Sequence, residues 1–247
     1  MKELLKQINP MEIYKSAHGT RRICMMLASV LLMGFGVSVF SLSDLGVDPF
    51  TAMNMAISAK LGIGFGFYQM LVNGVLLCFV LLCAKKLVNL GTVFNMVGVG
   101  YVCEFFTGLY ARFIPAPTFL PIQLCLMIAG VLLLSLAASL YFTASLGVSP
   151  YDAMGFVLNE KTRVQYKWCR VITDIVCTAV AFLFAGPVGI GTVVTAFCMG
   201  PIVSFFNKAV SEKLLYAHGF KIRLVVRFYD FSRVGGTWIS PNGRFVA

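Results

Sequence analysis

Two stretches of this chain, Ile23 to Phe40 and Ile122 to Phe142, contain no charged side chain. At about 1.5 Å of rise per helical residue, each is long enough to cross the hydrocarbon of a bilayer. A water-soluble domain of 247 residues dresses its surface with charge, whereas this chain is 59% hydrophobic and 12% charged. That balance excludes an ordinary soluble globule and gives an integral membrane protein.

The two stretches are copies. Sliding the chain by 101 positions lays Leu45-Gly46-Val47-Asp48-Pro49-Phe50-Thr51-Ala52-Met53 over Leu146-Gly147-Val148-Ser149-Pro150-Tyr151-Asp152-Ala153-Met154, and 14 of 39 positions from 22 to 60 are identical to their counterparts. With one deletion the match continues through Gly91-Thr92-Val93 against Gly191-Thr192-Val193 and Phe105-Phe106 against Phe205-Phe206. A fixed internal offset of this kind marks a tandem duplication.

Each copy reads as a long apolar span, a short Gly/Pro-punctuated segment and two more spans: about 22–42, 66–84 and 91–110, then 122–142, 168–185 and 191–208. The short segments, about 48–60 and 149–160, are too short and too polar to span alone. If they are re-entrant the protein has six spans, and if they cross it has eight. Charge in equivalent loops favours six. After the short segment the first copy has only Lys60 while the second has Lys161, Arg163, Lys167 and Arg170; between the last two spans the first has Lys85-Lys86 and the second has no charge. Parallel copies give no reason for such a swap, and inverted copies require it.

The expected fold is therefore an all-α integral membrane protein of about six transmembrane helices, as two tandem, inverted three-span repeats, each with a short re-entrant or interfacial half-helix. Its parts are a basic cytoplasmic segment 1–21, a membrane repeat 22–110, a linker 111–120, a second repeat 121–209 and a basic cytoplasmic tail 210–247. Most of the formal charge of +10 sits in the two tails. Basic flanks on a hydrophobic body fit membrane orientation better than nucleic-acid binding. Lys221 to Arg227 reads as a basic amphipathic segment on the inner leaflet, and the glycine-rich end after it as loosely attached.

Chemistry has few places to sit. Both histidines, His18 and His218, are in the tails, and the eight cysteines form no CxxC pair. No metal site, cofactor or hydrolytic centre is expected, so the chain reads as no enzyme. The strongest candidates are the two starts of the short segments. Asp48 and Ser149 precede Pro49 and Pro150, the pattern of a capped helix, and Asp152 stands at capping-box spacing from Ser149. Helix N-termini inside a membrane suit a small anionic solute; the plainer reading is a pair of capped interfacial connectors.

Polar residues within spans come next, because each costs about 2–3 kcal/mol at the centre of a helix in lipid unless it faces protein or water. Asn73 and Asp174 occupy equivalent places, as do Gln69 and Arg170. Arg170 precedes Asp174 by one turn, so the pair also reads as a structural salt bridge. Glu104, alone in its span, is a secondary candidate that snorkelling would explain. Gly91-Thr92, Gly191-Thr192 and Gly200-Pro201 read as close helix packing and a kink.

In these twin motifs, and in Gly189-Ile190-Gly191-Thr192 with Gly200-Pro201, the chain from about 20 to 212 resembles the YczE/YyaS/YitT family of bacterial multipass membrane proteins. The resemblance implies the bacterial cytoplasmic membrane and brings no catalytic residues with it. Two functions follow as expectations: a small permease or secondary transporter with a solute site at the repeat interface, or a non-transporting scaffold acting through its basic tails. Beyond the lipid bilayer, the partners left open are an unknown small solute, a homo-oligomer and a membrane partner.

Overall fold

The computed structural model describes residues 19–113, 117–162 and 164–216, with 238–239 and 245–246. Within these residues the chain is helical: α1 (Gly19–Leu42), α2 (Pro49–Leu61), α3 (Phe65–Cys83), a 3-10 turn (Lys85–Leu87), α4 (Leu90–Phe113), α5 (Leu120–Ala144), α6 (Pro150–Thr162), α7 (Tyr166–Leu183) and α8 (Ile190–Phe206). A π-turn at Asn207–Ser211 carries α8 into α9 (Glu212–Tyr216). Two-residue strands, Trp238–Ile239 and Phe245–Val246, pair antiparallel and are a small departure from an all-α chain. The amphipathic segment expected at 221–227 and the tail 1–18 lie outside the described residues.

Six long helices occur where spans were expected, and five helical stretches are long and apolar enough to cross a membrane. The sixth, α7, is 18 residues long and carries Lys167, Arg170 and Asp174. The second copy also runs further than expected. Instead of ending at 209, the helix continues through the π-turn to Tyr216, with Ser211 fully buried and Leu215 in the core. Of the glycines read as packing sites, Gly200 is no close approach, because a Cβ there would meet nothing within 4 Å.

The centre of the molecule is the pair α1 and α5, which run antiparallel. At one end Arg22 Nε donates to Ala144 O at 2.8 Å and Arg22 Nη2 to Ser145 O at 2.6 Å, closing the carboxyl end of α5. At the other, Gly130 admits Phe40 so closely that an added Cβ would lie 2.6 Å from the Phe40 Cβ. Between them Met26, Val30, Val37 and Phe40 pack with Val131, Leu134 and Tyr141. Small residues on this seam let the two backbones approach, which is how helices gain packing where lipid supplies no hydrophobic drive.

The loops after α1 and α5 cross over, each docking on the opposite half of the chain. Leu45 O accepts from Gly191 N at 2.8 Å and Val47 N donates to Pro187 O at 3.2 Å. In the same way Leu146 O accepts from Gly91 N at 2.7 Å and Val148 N donates to Leu87 O at 3.1 Å. The turn glycines, Gly46 and Gly147, have φ of 94° and 105°, the left-handed region that glycine enters without steric cost. Their missing side chains leave room for the backbone nitrogens of Gly189 and Asn89.

Candidate functional site

The two short helices begin as their caps dictate. Asp48 Oδ1 accepts from Thr51 N at 3.1 Å and Pro49 opens α2, while Ser149 Oγ accepts from Asp152 N at 3.1 Å and donates to Asp152 Oδ2 at 2.8 Å, with Pro150 opening α6. The ends so built meet each other. Phe50 and Tyr151, the residues after the prolines, stack with ring centroids 4.3 Å apart and planes at 15°.

Around that stack the acidic candidates gather. Tyr151 OH donates to Asp174 Oδ1 at 2.5 Å. Arg170 Nε lies 3.5 Å from Asp174 Oδ2 across one turn of α7, the salt bridge expected from the spacing, and Arg170 Nη1 also pairs with Asp152 Oδ1. Its guanidinium covers the Tyr151 ring, 4.6 Å from the centroid. Asp48 stands within electrostatic reach of both Arg170 and Asp174. Asp174 is 5% exposed, while Asp48, Ser149, Asp152 and Arg170 are half-buried, so one buried carboxylate lies behind a more open group.

The charge balance differs from the expected anion site. Three carboxylates face one guanidinium, and that guanidinium is already engaged by two of them. Four N–H groups at the two helix starts are engaged: Thr51 N and Ala52 N by Asp48, Asp152 N and Ala153 N by Ser149. The junction therefore presents more carboxylate than cationic charge. Among the described residues no three carboxylate, thiol or imidazole groups converge as metal ligands do.

Gln69 and Asn73 stand one turn apart on the buried face of α3, at 5% and 2% exposure, and Gln69 Oε1 and Asn73 Oδ1 have no hydrogen-bond partner. Asn54, which the sequence did not single out, is fully buried on α2 with neither side-chain atom bonded. Each such orphan costs about 1–3 kcal/mol of desolvation. The signal for Asn54 was present as Thr51, Asn54 and Ser58 at i, i+3 and i+7, a polar stripe on one face of a short helix.

Glu104 does not join this group. Its Oε2 accepts from Gly66 N at 2.9 Å, so it serves as a cap from α4 for the start of α3, whose own N-cap residue, Gly64, offers no side chain. A second buried polar cluster also escaped the sequence reading. Ser139 and Thr143 on α5 donate to Asn207 Oδ1 at 3.0 and 2.7 Å, and Ser139 Oγ meets Ser211 Oγ at 2.6 Å. It fastens the π-turn. An open depression of about 440 Å³, lined by Met55, Ala59, Lys60, Phe184 and Pro187 among others, lies beside the far end of α2. None of the candidate side chains borders it.

Comparison with known proteins agrees with this placement in the membrane. A model described as a family of unknown function, DUF6198, matches residues 20–208. The chain is similar to the uncharacterized membrane protein YczE of Bacillus subtilis, at 26% identity over 191 residues, 77% of this chain and 87% of that one. It is likewise similar to an uncharacterized protein of Haemophilus influenzae, at 28% over 195 residues, 78% and 86% of the two chains. The uncharacterized protein YyaS of Bacillus subtilis matches at 26% over 188 residues, 75% and 92%. No solved structure matches the chain. With its long apolar helices and these relatives, the protein is a multipass membrane protein.

Proposed function

The chain belongs to DUF6198, a family of unknown function, and we propose that it is a small permease-like protein that binds a positively charged solute or coupling ion where its two half-helices meet. The observation that carries this reading is the junction itself. Two helix starts abut at the Phe50–Tyr151 stack, and Asp48, Asp152 and Asp174 surround it with a single arginine. Interrupted helices meeting near the bilayer midplane are how secondary transporters build substrate sites, and ionisable groups held there mark ion pathways.

The path of the chain supports two inverted units. Arg22 bonds Ala144 at one end of the α1–α5 pair and Phe40 meets Gly130 at the other, so these equivalent spans run in opposite directions. Opposed equivalents need an odd number of crossings per unit. On this reading α2 and α6 are re-entrant half-helices, six helices span, and both basic termini face the cytoplasm at a bacterial inner membrane. The crossed loops at Leu45 and Leu146 fit the same relation, since each half makes toward the other the contact it receives.

Thermal unfolding of the purified protein against a small-molecule library divided by charge tests the proposal. A ligand at a hundred times its dissociation constant adds about 2.7 kcal/mol of stability. Cationic compounds should raise the midpoint in the wild type and lose that effect in Asp174→Asn. A library-wide absence of shifts, with Asp174→Asn folding normally, would transfer the function to a scaffold acting through the tails. Hits confined to anions would reverse the charge assignment.

A further inference from the structure

Each charged group at the junction has a partner within the protein, but four buried amide atoms on α2 and α3 do not. Asn73 Oδ1, Gln69 Oε1 and both polar atoms of Asn54 are four of the eight buried side-chain atoms without a hydrogen-bond partner among the described residues. All four are on α2 and α3. Phe50 and Met53 of α2 and Val72 and Leu76 of α3 belong to one apolar cluster with Tyr151 and Cys177, and Asn54 and Asn73 are the buried polar residues that follow Met53 and Val72 on those helices.

One difference between the two halves of the junction is a ring hydroxyl. In the second half Asp174 receives the hydroxyl of Tyr151. The matching residues in the first half are Asn73 and Phe50, and phenylalanine has no hydroxyl to give. Asn73 Oδ1 is left without a donor, and Gln69 Oε1, one turn earlier on the same buried face, is left without one too. Buried acceptors without donors ask for N–H or O–H groups, and the surplus of carboxylates asks for positive charge.

We propose that Asn73 and Gln69, with Asn54 beside them, are the recognition half of the site and take the N–H groups of a small primary ammonium compound whose charge the aspartates balance. The inference rests on the cation reading above and adds the donor chemistry to it. A quaternary ammonium ion meets the demand for charge alone, and an anion meets neither the carboxylates nor the open acceptors of Asn73 and Gln69. Substituting leucine at 73 or methionine at 69 keeps the volume while removing the open acceptor, so these variants retain the fold.

Thermal unfolding of the purified full chain in detergent, with methylammonium, tetramethylammonium or sodium chloride at one ionic strength, separates the possibilities. Methylammonium should raise the midpoint well above the other two, and Asn73→Leu and Gln69→Met should lose that shift while staying folded. Phe50→Tyr supplies the missing hydroxyl; it should raise the midpoint without ligand and abolish the methylammonium shift. Equal shifts from methylammonium and tetramethylammonium, undiminished in Asn73→Leu, overturn the amide assignment and leave the cation reading standing. A sodium shift as large as that of methylammonium replaces the ammonium by a metal ion and also overturns it. No shift from any cation in the wild type overturns both.

Discussion

Phe50 lies flat on Tyr151, two rings from different halves of the chain held face to face at 4.3 Å. The contact fixes where α2 and α6 begin, and only one of the two rings carries a hydroxyl. Tyr151→Phe keeps the stack and removes the donor to Asp174. An acceptor left short in a buried place costs about 1–3 kcal/mol, so the thermal midpoint should fall. An unchanged midpoint would mean that the Tyr151–Asp174 bond contributes nothing to the folded state.

Arg170 holds Asp152 and Asp174 together. Removing one partner from a buried ion pair costs about 3–5 kcal/mol, and the 30% exposure of the Arg170 side chain puts Arg170→Met at or below the lower end. Adding Asp152→Asn should return part of the loss, because it removes one of the charges left unpaired. Strict additivity of the two changes in a denaturation cycle would show that the residues act separately.

Glu104 is assigned to the start of α3, not to the site. Glu104→Ala should therefore cost about 1 kcal/mol, the usual worth of a helix cap, and leave ligand-induced stabilisation as it was. Loss of the ligand shift with an unaltered midpoint would move Glu104 into the binding machinery.

Glycines sort by their surroundings. Gly46→Ala places a Cβ 2.5 Å from Gly189 N at a φ of 94°, and Gly147→Ala repeats the problem against Thr92 Oγ1, so both should yield little monodisperse protein on a sizing column. Gly74→Ala meets open space in the middle of α3 and should instead stabilise by about 0.5–1 kcal/mol.

The inversion proposed above would place the α2–α3 turn and the α6–α7 turn on opposite faces of the membrane. Single cysteines introduced near Lys60 and Lys161 in a cysteine-free background should differ in whole cells, the first reacting with an impermeant maleimide and the second only after lysis. Equal reactivity at both would refute inversion.

What could be read before the structure was whatever depends on residues close in sequence. The caps at Asp48 and Ser149, the Asp152 contact with Ser149 and the Arg170–Asp174 pair all lie within four positions, where helix geometry alone brings side chains together. The link from Arg170 to Asp152 and the reach of Glu104 to Gly66 depend on which helices become neighbours, and no periodicity encodes that. Asn54 stayed hidden for a different reason. Its counterpart in the second copy is Gly155, so comparing the halves gave it no echo. Helix dipoles alone point to an anionic solute; the cation proposed here rests on Arg170, Asp152 and Asp174 meeting across α6 and α7, which no periodicity encodes.

The crossed loops also set a schedule for synthesis. Leu45 emerges from the ribosome early, but its partner Gly191 follows roughly 140 residues later, on the order of ten seconds at about 5–20 residues per second. Throughout that interval the Leu45 loop has no dock, and the first half waits in the membrane with an unfinished seam. A translocon or insertase that shields this seam would govern the yield of folded protein, and a ribosomal pause placed after α4 would lower it more than the same pause after α8.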